Sequence, residues 1–109
     1  MFLVLGLVLY ACSDDNDVCD TSDVTYTNDV ADIFNSSCAV SGCHVDNNVA
    51  VGFFSLEGYT NAKAAADFGR IVGAITHQAG FSPMPKGGDT LDQCTIDIIT
   101  AWVNAGAPE

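Results

Sequence analysis

Apolar residues recur every three or four positions in two segments of the chain, which is the spacing of one face of an α-helix. The clearer segment covers residues 93–104, and its apolar face consists of Ile96, Ile99, Trp102 and Val103. Asp92 precedes this segment as a good N-cap, and Gly106 with Pro108 fits its end. The pattern therefore predicts a final helix over residues 93–104.

A second helix is predicted over residues 28–37, where one face carries Val30, Ile33 and Phe34. Thr27 can cap it, and Asp29 is favourable in its first turn. We expect this helix to cross the final helix, with Phe34 close to Trp102.

The middle of the chain has weaker patterns. An alanine-rich helix is predicted over residues 61–68, after a break at Gly58. Gly69 interrupts it, and a further helix is predicted over residues 70–78. The stretch before the first helix, residues 18–27, is predicted to be extended.

The N-terminal residues 1–11 form an apolar run that is too short to span a bilayer and is typical of a secretory signal. Leu9-Tyr10-Ala11-Cys12 resembles a bacterial lipobox, which implies cleavage before Cys12 and lipid on that residue. Residues 12–25 then form an acidic, lipidated tether, and residues 26–109 form the domain. The alternative for the apolar run is a buried N-terminal strand or helix.

The charge balance bears on the partners. The chain of 109 residues carries 14 Asp and Glu against three Lys and Arg, a formal net charge of −11. Phosphate binding needs a basic face, so nucleic acid is excluded as a partner. A protein with a basic docking patch would be attracted.

The chemistry of the chain concentrates in Cys38-Ala39-Val40-Ser41-Gly42-Cys43-His44. A cysteine pair followed at once by histidine is the signature of covalent haem attachment, in which both sulfurs bond the porphyrin and the imidazole binds iron. The usual gap between the cysteines is two residues, whereas here it is four. Gly42 can supply the backbone angles that a longer loop needs. A zinc site and a disulfide are the alternatives.

Met84 is the candidate for the second iron ligand, because it is the only methionine apart from Met1. Pro83 and Pro85 flank it and stiffen its loop, and His/Met is a recognised axial pair in cytochromes c. His77 is the rival ligand, but we favour a hydrogen-bonding or surface role for it. Arg70 is either a partner of a haem propionate or a solvated cation.

Cys19 and Cys94 remain once the other cysteines are assigned. Two such thiols in an exported protein are expected to form a disulfide. The alternative is two free thiols.

The run from Tyr26 to Pro108 resembles class I cytochrome c domains, especially the small mono-haem domains of Bacteroidetes and relatives. The residues that carry the resemblance are Tyr26, Val30 to Phe34, Cys38, Cys43, His44, Met84, Pro85, Gly87, Gly88, Leu91, Ile96, Ile99, Trp102 and Gly106. The resemblance implies an all-α fold, with crossing terminal helices wrapped around one haem c. It also implies haem thioethers at Cys38 and Cys43 and axial iron ligands at His44 and Met84. Phe53, Phe54 and Leu56 are expected either to line the porphyrin or to belong to the ordinary core.

The resulting prediction is an electron carrier and not an enzyme, since both axial positions of iron are filled. It would be lipid-anchored on the periplasmic or cell-surface side of a bacterial membrane and would exchange electrons with a redox protein. One alternative is a haem enzyme or gas sensor with an open iron site. The other is a zinc-binding module that uses Cys38, Cys43, His44 and His77.

Overall fold

The computed structural model describes residues 19–40, 43–44 and 55–109. A π-helical turn, Tyr26–Val30, leads directly into helix α1, and three further helices follow: α1 is Ala31–Ser37, α2 is Gly58–Phe68, α3 is Ile71–Ile75 and α4 is Gln93–Asn104. The described residues contain no strand. The predicted helical class is therefore confirmed for this part of the chain.

The first helical segment begins two residues before the predicted start, and its cap is Thr25 instead of Thr27. The Thr25 hydroxyl accepts the Asn28 N–H at 3.1 Å, while the Asp29 carboxylate accepts the Thr25 N–H at 3.0 Å. The Val30 N–H donates to the Thr25 carbonyl oxygen at 3.2 Å, five residues back, which makes the turn π-helical. The prediction of Thr27 as the cap was wrong. Thr25 forms a reciprocal cap with Asp29, four residues further on, whereas the partner in the usual capping box is three residues further on.

Helix α2 starts at Gly58, so the predicted break there and the start at Asn61 were wrong. The side chain of Asn61 donates to the Glu57 carbonyl oxygen at 2.9 Å, one turn back, and so lies inside the helix. The predicted stop at Gly69 is confirmed, since this residue adopts the left-handed conformation with φ 87°.

Helix α3 is shorter than predicted and ends at Ile75 instead of residue 78. His77 has a φ of 53°, in the left-handed region that a right-handed helix cannot include.

Helix α4 has the predicted bounds, and the Asp92 carboxylate accepts the Thr95 N–H at 3.1 Å as its N-cap. The hydrogen bonds to Thr95 hold the pKa of Asp92 below its usual value. At its other end, the Gly106 N–H donates to Val103 and the Ala107 N–H donates to Trp102, which is the Schellman pattern.

The core lies where the first helical segment meets α4. The rings of Phe34 and Trp102 meet edge to face at 5.8 Å between centroids. Phe34, Val30, Ile99 and Trp102 are all 0–1% exposed. The predicted contact between Phe34 and Trp102 is thus confirmed.

The C-terminal residues tie the two ends of the domain together. The Pro108 carbonyl oxygen accepts the Trp102 indole N–H and the Tyr26 N–H, both at 2.9 Å, and the Glu109 carbonyl oxygen accepts the Thr27 N–H at 3.0 Å. The Tyr59 hydroxyl donates to the Ala107 carbonyl oxygen at 2.7 Å, which attaches α2 to the same tail. The bonds from the Tyr26 and Thr27 N–H groups satisfy donors at the start of the first helical segment that have no partner within it.

Cys19 and Cys94 form the expected disulfide, with a Cα–Cα distance of 5.4 Å. Val24 is buried and Cys19 is bonded to Cys94, whereas residues 20–23 between Cys19 and Val24 are exposed. The signal prediction for residues 1–11, the lipid site Cys12 and the first part of the tether lie outside the described residues. Within the described ranges, no helix has the length and apolar character needed to cross a membrane.

Candidate functional site

The segment from Cys38 to His44 folds back on the C-terminal end of α1. The Cys38 N–H donates to the Phe34 carbonyl oxygen at 3.0 Å, which continues the helix, and the His44 N–H donates to the Cys38 carbonyl oxygen at 3.0 Å. The Cys43 N–H donates to the Val40 carbonyl oxygen at 2.9 Å. The four-residue gap therefore closes into a turn that returns Cys43 and His44 to Cys38. Gly42, which was expected to relieve this loop, lies outside the described residues.

The two cysteines of this turn are free and half-buried. Burial, and to a smaller extent the neighbouring Cys43, raises the pKa of the Cys38 thiol to about 11. Cys38 is thus a neutral thiol at physiological pH. A thiol of this kind is a poor nucleophile and binds a metal only after losing its proton.

Met84 lies in the loop that follows α3, and its backbone is bound to the end of that helix. Its N–H donates to the Ala74 carbonyl oxygen at 3.0 Å, and its carbonyl oxygen lies 3.0 Å from Nε2 of His77. The hydrogen-bonding role favoured for His77 is therefore confirmed, with a backbone carbonyl as the partner.

The start of the same loop is held by Phe81 and Arg70. Phe81 packs so closely on Gly73 that a Cβ there would lie 2.5 Å from the ring, so only glycine fits. The Arg70 guanidinium lies 4.6 Å from the centroid of the Phe81 ring and donates to the Gly80 carbonyl oxygen at 3.2 Å. This contact was not predicted from the sequence, in which its one signal is a glycine, Gly73, inside a helical pattern.

Two neighbouring cavities of about 380 Å³ each lie between the turn and the loop. Both are lined by Cys38, His44, Ile75 and Met84. The structure thus brings His44 and Met84, the two predicted ligand residues, to the same hollow, although 40 residues separate them in sequence.

The other residues of the cavity walls are mostly apolar, and each cavity has one cationic residue among them. The first cavity adds Cys43, Pro85, Leu91 and Lys86, and the second adds Phe34, Leu56, Phe81 and Arg70 among others. Arg70 and Lys86 are two of the three basic residues in the chain. A ligand with an apolar body and anionic groups therefore matches these walls.

No family model, curated protein or solved structure matches the chain. In the described ranges, no group of three or more His, Cys, Asp and Glu side chains is arranged to hold a metal ion. The four residues of the zinc alternative, Cys38, Cys43, His44 and His77, all lie within these ranges. Leu56 belongs to the buried core and also lines a cavity, whereas Phe53 and Phe54 lie outside the described residues.

Proposed function

We propose that this protein is a mono-haem c-type cytochrome that transfers electrons. The observation that carries the proposal is that His44 and Met84 line the same two cavities, beside both free cysteines. An imidazole and a thioether are one of the axial ligand sets of cytochromes c. Two thiols at the wall of an apolar hollow are the groups that covalent attachment to haem requires.

The described residues provide a hollow of ordinary ligand-pocket size and the side-chain types that haem c would need. Ligand pockets typically have volumes of about 300–1,000 Å³ and mostly apolar walls, and two adjoining cavities of about 380 Å³ each lie within that range. Cys38 and Cys43 would form the thioethers, and His44 and Met84 would bind the iron. The bound haem would supply an iron that accepts and releases one electron.

The surrounding side chains would set the electron affinity of that iron. The thioether sulfur of Met84 is a soft ligand that favours the reduced state. Apolar side chains such as Leu56 and Ile75, both 5–6% exposed, keep water away and disfavour the more highly charged oxidised state. Arg70 and Lys86 are the cationic residues of the cavity walls, and their side chains would pair with the carboxylates of the macrocycle.

Transport of electrons and not catalysis follows from the ligand set. If His44 and Met84 both bind the iron, they would leave it no vacant position for a substrate or a small gas. An open-site enzyme or sensor requires Met84 to leave the iron.

The proposal includes export and a basic partner. Disulfides persist in oxidising compartments, and the Cys19–Cys94 bond supports a place outside the cytoplasm. Lipid on Cys12 would hold the protein at the membrane. The net charge of −11 would favour a redox protein that presents Lys and Arg at its docking surface.

The test is an optical redox titration of protein made in a host that attaches haem covalently. We expect haem c bands that change reversibly with one electron, no carbon monoxide binding by the reduced protein, and a sulfur-to-iron charge-transfer band in the oxidised one. Met84→Ala should abolish that band with haem retained. Leu91→Ala is the matched control, because Leu91 lines the first cavity without a ligand atom.

Three results would contradict the proposal. Carbon monoxide binding to the unmodified protein would favour the enzyme or sensor. A colourless protein that contains zinc would favour the zinc module. A charge-transfer band that persists in Met84→Ala would mean that Met84 is not the ligand.

A further inference from the structure

Both polar backbone atoms of Met84 are bound by α3 and by the residues that directly follow it. Its N–H donates to the Ala74 carbonyl oxygen at 3.0 Å, and its carbonyl oxygen lies 3.0 Å from Nε2 of His77. A carbonyl oxygen can only accept, so Nε2 of His77 carries a proton and donates it. With that proton in place, Nε2 has no lone pair for a metal.

The backbone of His77 is in an uncommon conformation that accompanies this contact. Its φ of 53° lies in the left-handed region, which residues other than glycine seldom adopt. Conformations of this kind persist where the surrounding structure requires them, and they cluster at functional sites. Here the conformation ends α3 and coincides with a side-chain bond to the residue that carries the proposed iron ligand.

The other described contacts of the loop lie mainly on its N-terminal side. Arg70 binds Gly80, and Phe81 packs on Gly73, all before Met84 in the loop. After Met84, the Gly88 N–H donates to the Pro85 carbonyl oxygen at 3.2 Å, which is a bond within the loop itself. The bond from His77 links the C-terminal end of α3 to the backbone carbonyl of Met84.

We propose that His77 is a positioning residue that fixes the Met84 thioether at the cavity by donating a hydrogen bond to the Met84 carbonyl oxygen. The inference rests on the proposed function for the role of the sulfur, but the hydrogen bond itself does not depend on haem. Loss of the bond frees the backbone carbonyl of Met84. The sulfur should then leave the iron more often, while the helices remain folded.

The test compares His77→Leu, which removes the donor, with His77→Gln, which retains an N–H donor on a flexible side chain. Gln78→Ala is the matched control at the next position, which is exposed. In haem-loaded protein, the charge-transfer band should be lost at a lower denaturant concentration in His77→Leu than in the wild type. The far-UV helix signal should move much less. His77→Gln should recover at least part of the difference, and Gln78→Ala should resemble the wild type.

A second measurement uses haem-free protein and keeps the two proposals separable. Nitrogen-15 NMR of the wild type should show a proton on Nε2 of His77. Hydrogen exchange at the Met84 amide should be about two- to tenfold faster in His77→Leu, the factor that one net hydrogen bond contributes.

Each outcome decides the inference. If the Met84 amide exchanges equally fast in the wild type and in His77→Leu, the positioning role is overturned, whether or not haem binds. A charge-transfer band and helix signal that shift together would also overturn it, because the effect would then be general destabilisation. Protein without haem would contradict the proposed function, and the exchange result would still decide whether His77 holds the loop.

Discussion

The interface between the first helical segment and α4 is packed differently from the wall of the two cavities. At the interface, Phe34 and Trp102 are 0–1% exposed and touch edge to face. At the cavity wall, Ile75 is buried, but Ile71, Phe81 and Met84 are half-buried and border open volume. The first region is closely packed with protein atoms, whereas the second leaves open volume between its described side chains.

The same contrast appears in the backbone. The interface is closed by the C-terminal tail and by the disulfide from Cys19 to α4. The cavity wall depends on a short helix and on single hydrogen bonds to its loop. We therefore expect the interface to determine whether the domain folds and the ligand to determine how well the cavity wall is ordered.

Replacing Trp102 should have the largest effect. Trp102→Ala removes a fully buried ring and its bond to Pro108, and such changes cost about 3–5 kcal/mol in the free energy of unfolding. Phe81→Ala, at the cavity wall, should cost much less in haem-free protein, because its ring is only half-buried. Equal losses in urea unfolding would contradict the contrast between the two regions.

Removing the disulfide should have the next largest effect. The bond closes a loop across 75 positions of sequence, and a native disulfide typically contributes about 2–4 kcal/mol. Cys19→Ser and Cys94→Ser should lose the same amount, and the double variant should lose no more than either one. Additive losses would mean that the two residues stabilise the interface separately.

The cavity wall should respond to alkaline pH in haem-free protein. The folded state raises the pKa of Cys38 from 9.0 to about 11, so the unfolded chain loses this proton first. The contribution of Cys38 to stability is therefore complete below pH about 9 and is lost as pH rises to about 11, a fall of about 1–3 kcal/mol. Cys38→Ala measured in the same buffers should lack this component.

Haem attachment provides the control for that titration. Once both sulfurs are thioethers, no thiol remains to titrate. The loss of folding stability at alkaline pH that depends on Cys38 should then disappear. If haem-loaded protein and haem-free protein show the same Cys38-dependent loss, the thiol has not reacted.

Hydrogen exchange should show the smallest difference, at individual amides. In haem-free protein, amides of α3 and of Met84 should exchange faster than those of α4. Haem loading should slow the α3 amides by about tenfold or more, which corresponds to about 1.4 kcal/mol of local stability. Slowing confined to α4 would contradict our interpretation of the cavity wall.

The sequence predicted those features that depend on local pattern or on a small number of candidates. The bounds of α4, the contact of Phe34 with Trp102 and the pairing of Cys19 with Cys94 all follow from periodicity or from the few cysteines available. The start of the first helical segment was missed because the cap formed by Thr25 and Asp29 spans one residue more than usual, and because the Tyr26 N–H finds its partner at the Pro108 carbonyl oxygen. A partner so distant along the chain leaves no mark in a local pattern.

The residue types of the candidate site were predictable from the sequence, but the contacts that hold those residues in place were not. Cys38, Cys43, His44 and Met84 were selected for their chemistry, and the structure brings them to one hollow. The carbonyl oxygen of Ala74 gave no signal, because every residue has one. The close packing of Phe81 on Gly73 depends on tertiary geometry that a sequence pattern does not contain.

The central claim is tested most directly by the mass of the denatured, acid-extracted protein from a host that attaches haem. We predict that a proteolytic peptide containing Cys38 and Cys43 carries the mass of one haem and that neither thiol reacts with an alkylating reagent. A peptide with both cysteines alkylated, and with all colour in the extract, would contradict covalent attachment and with it the assignment of this protein as a c-type cytochrome.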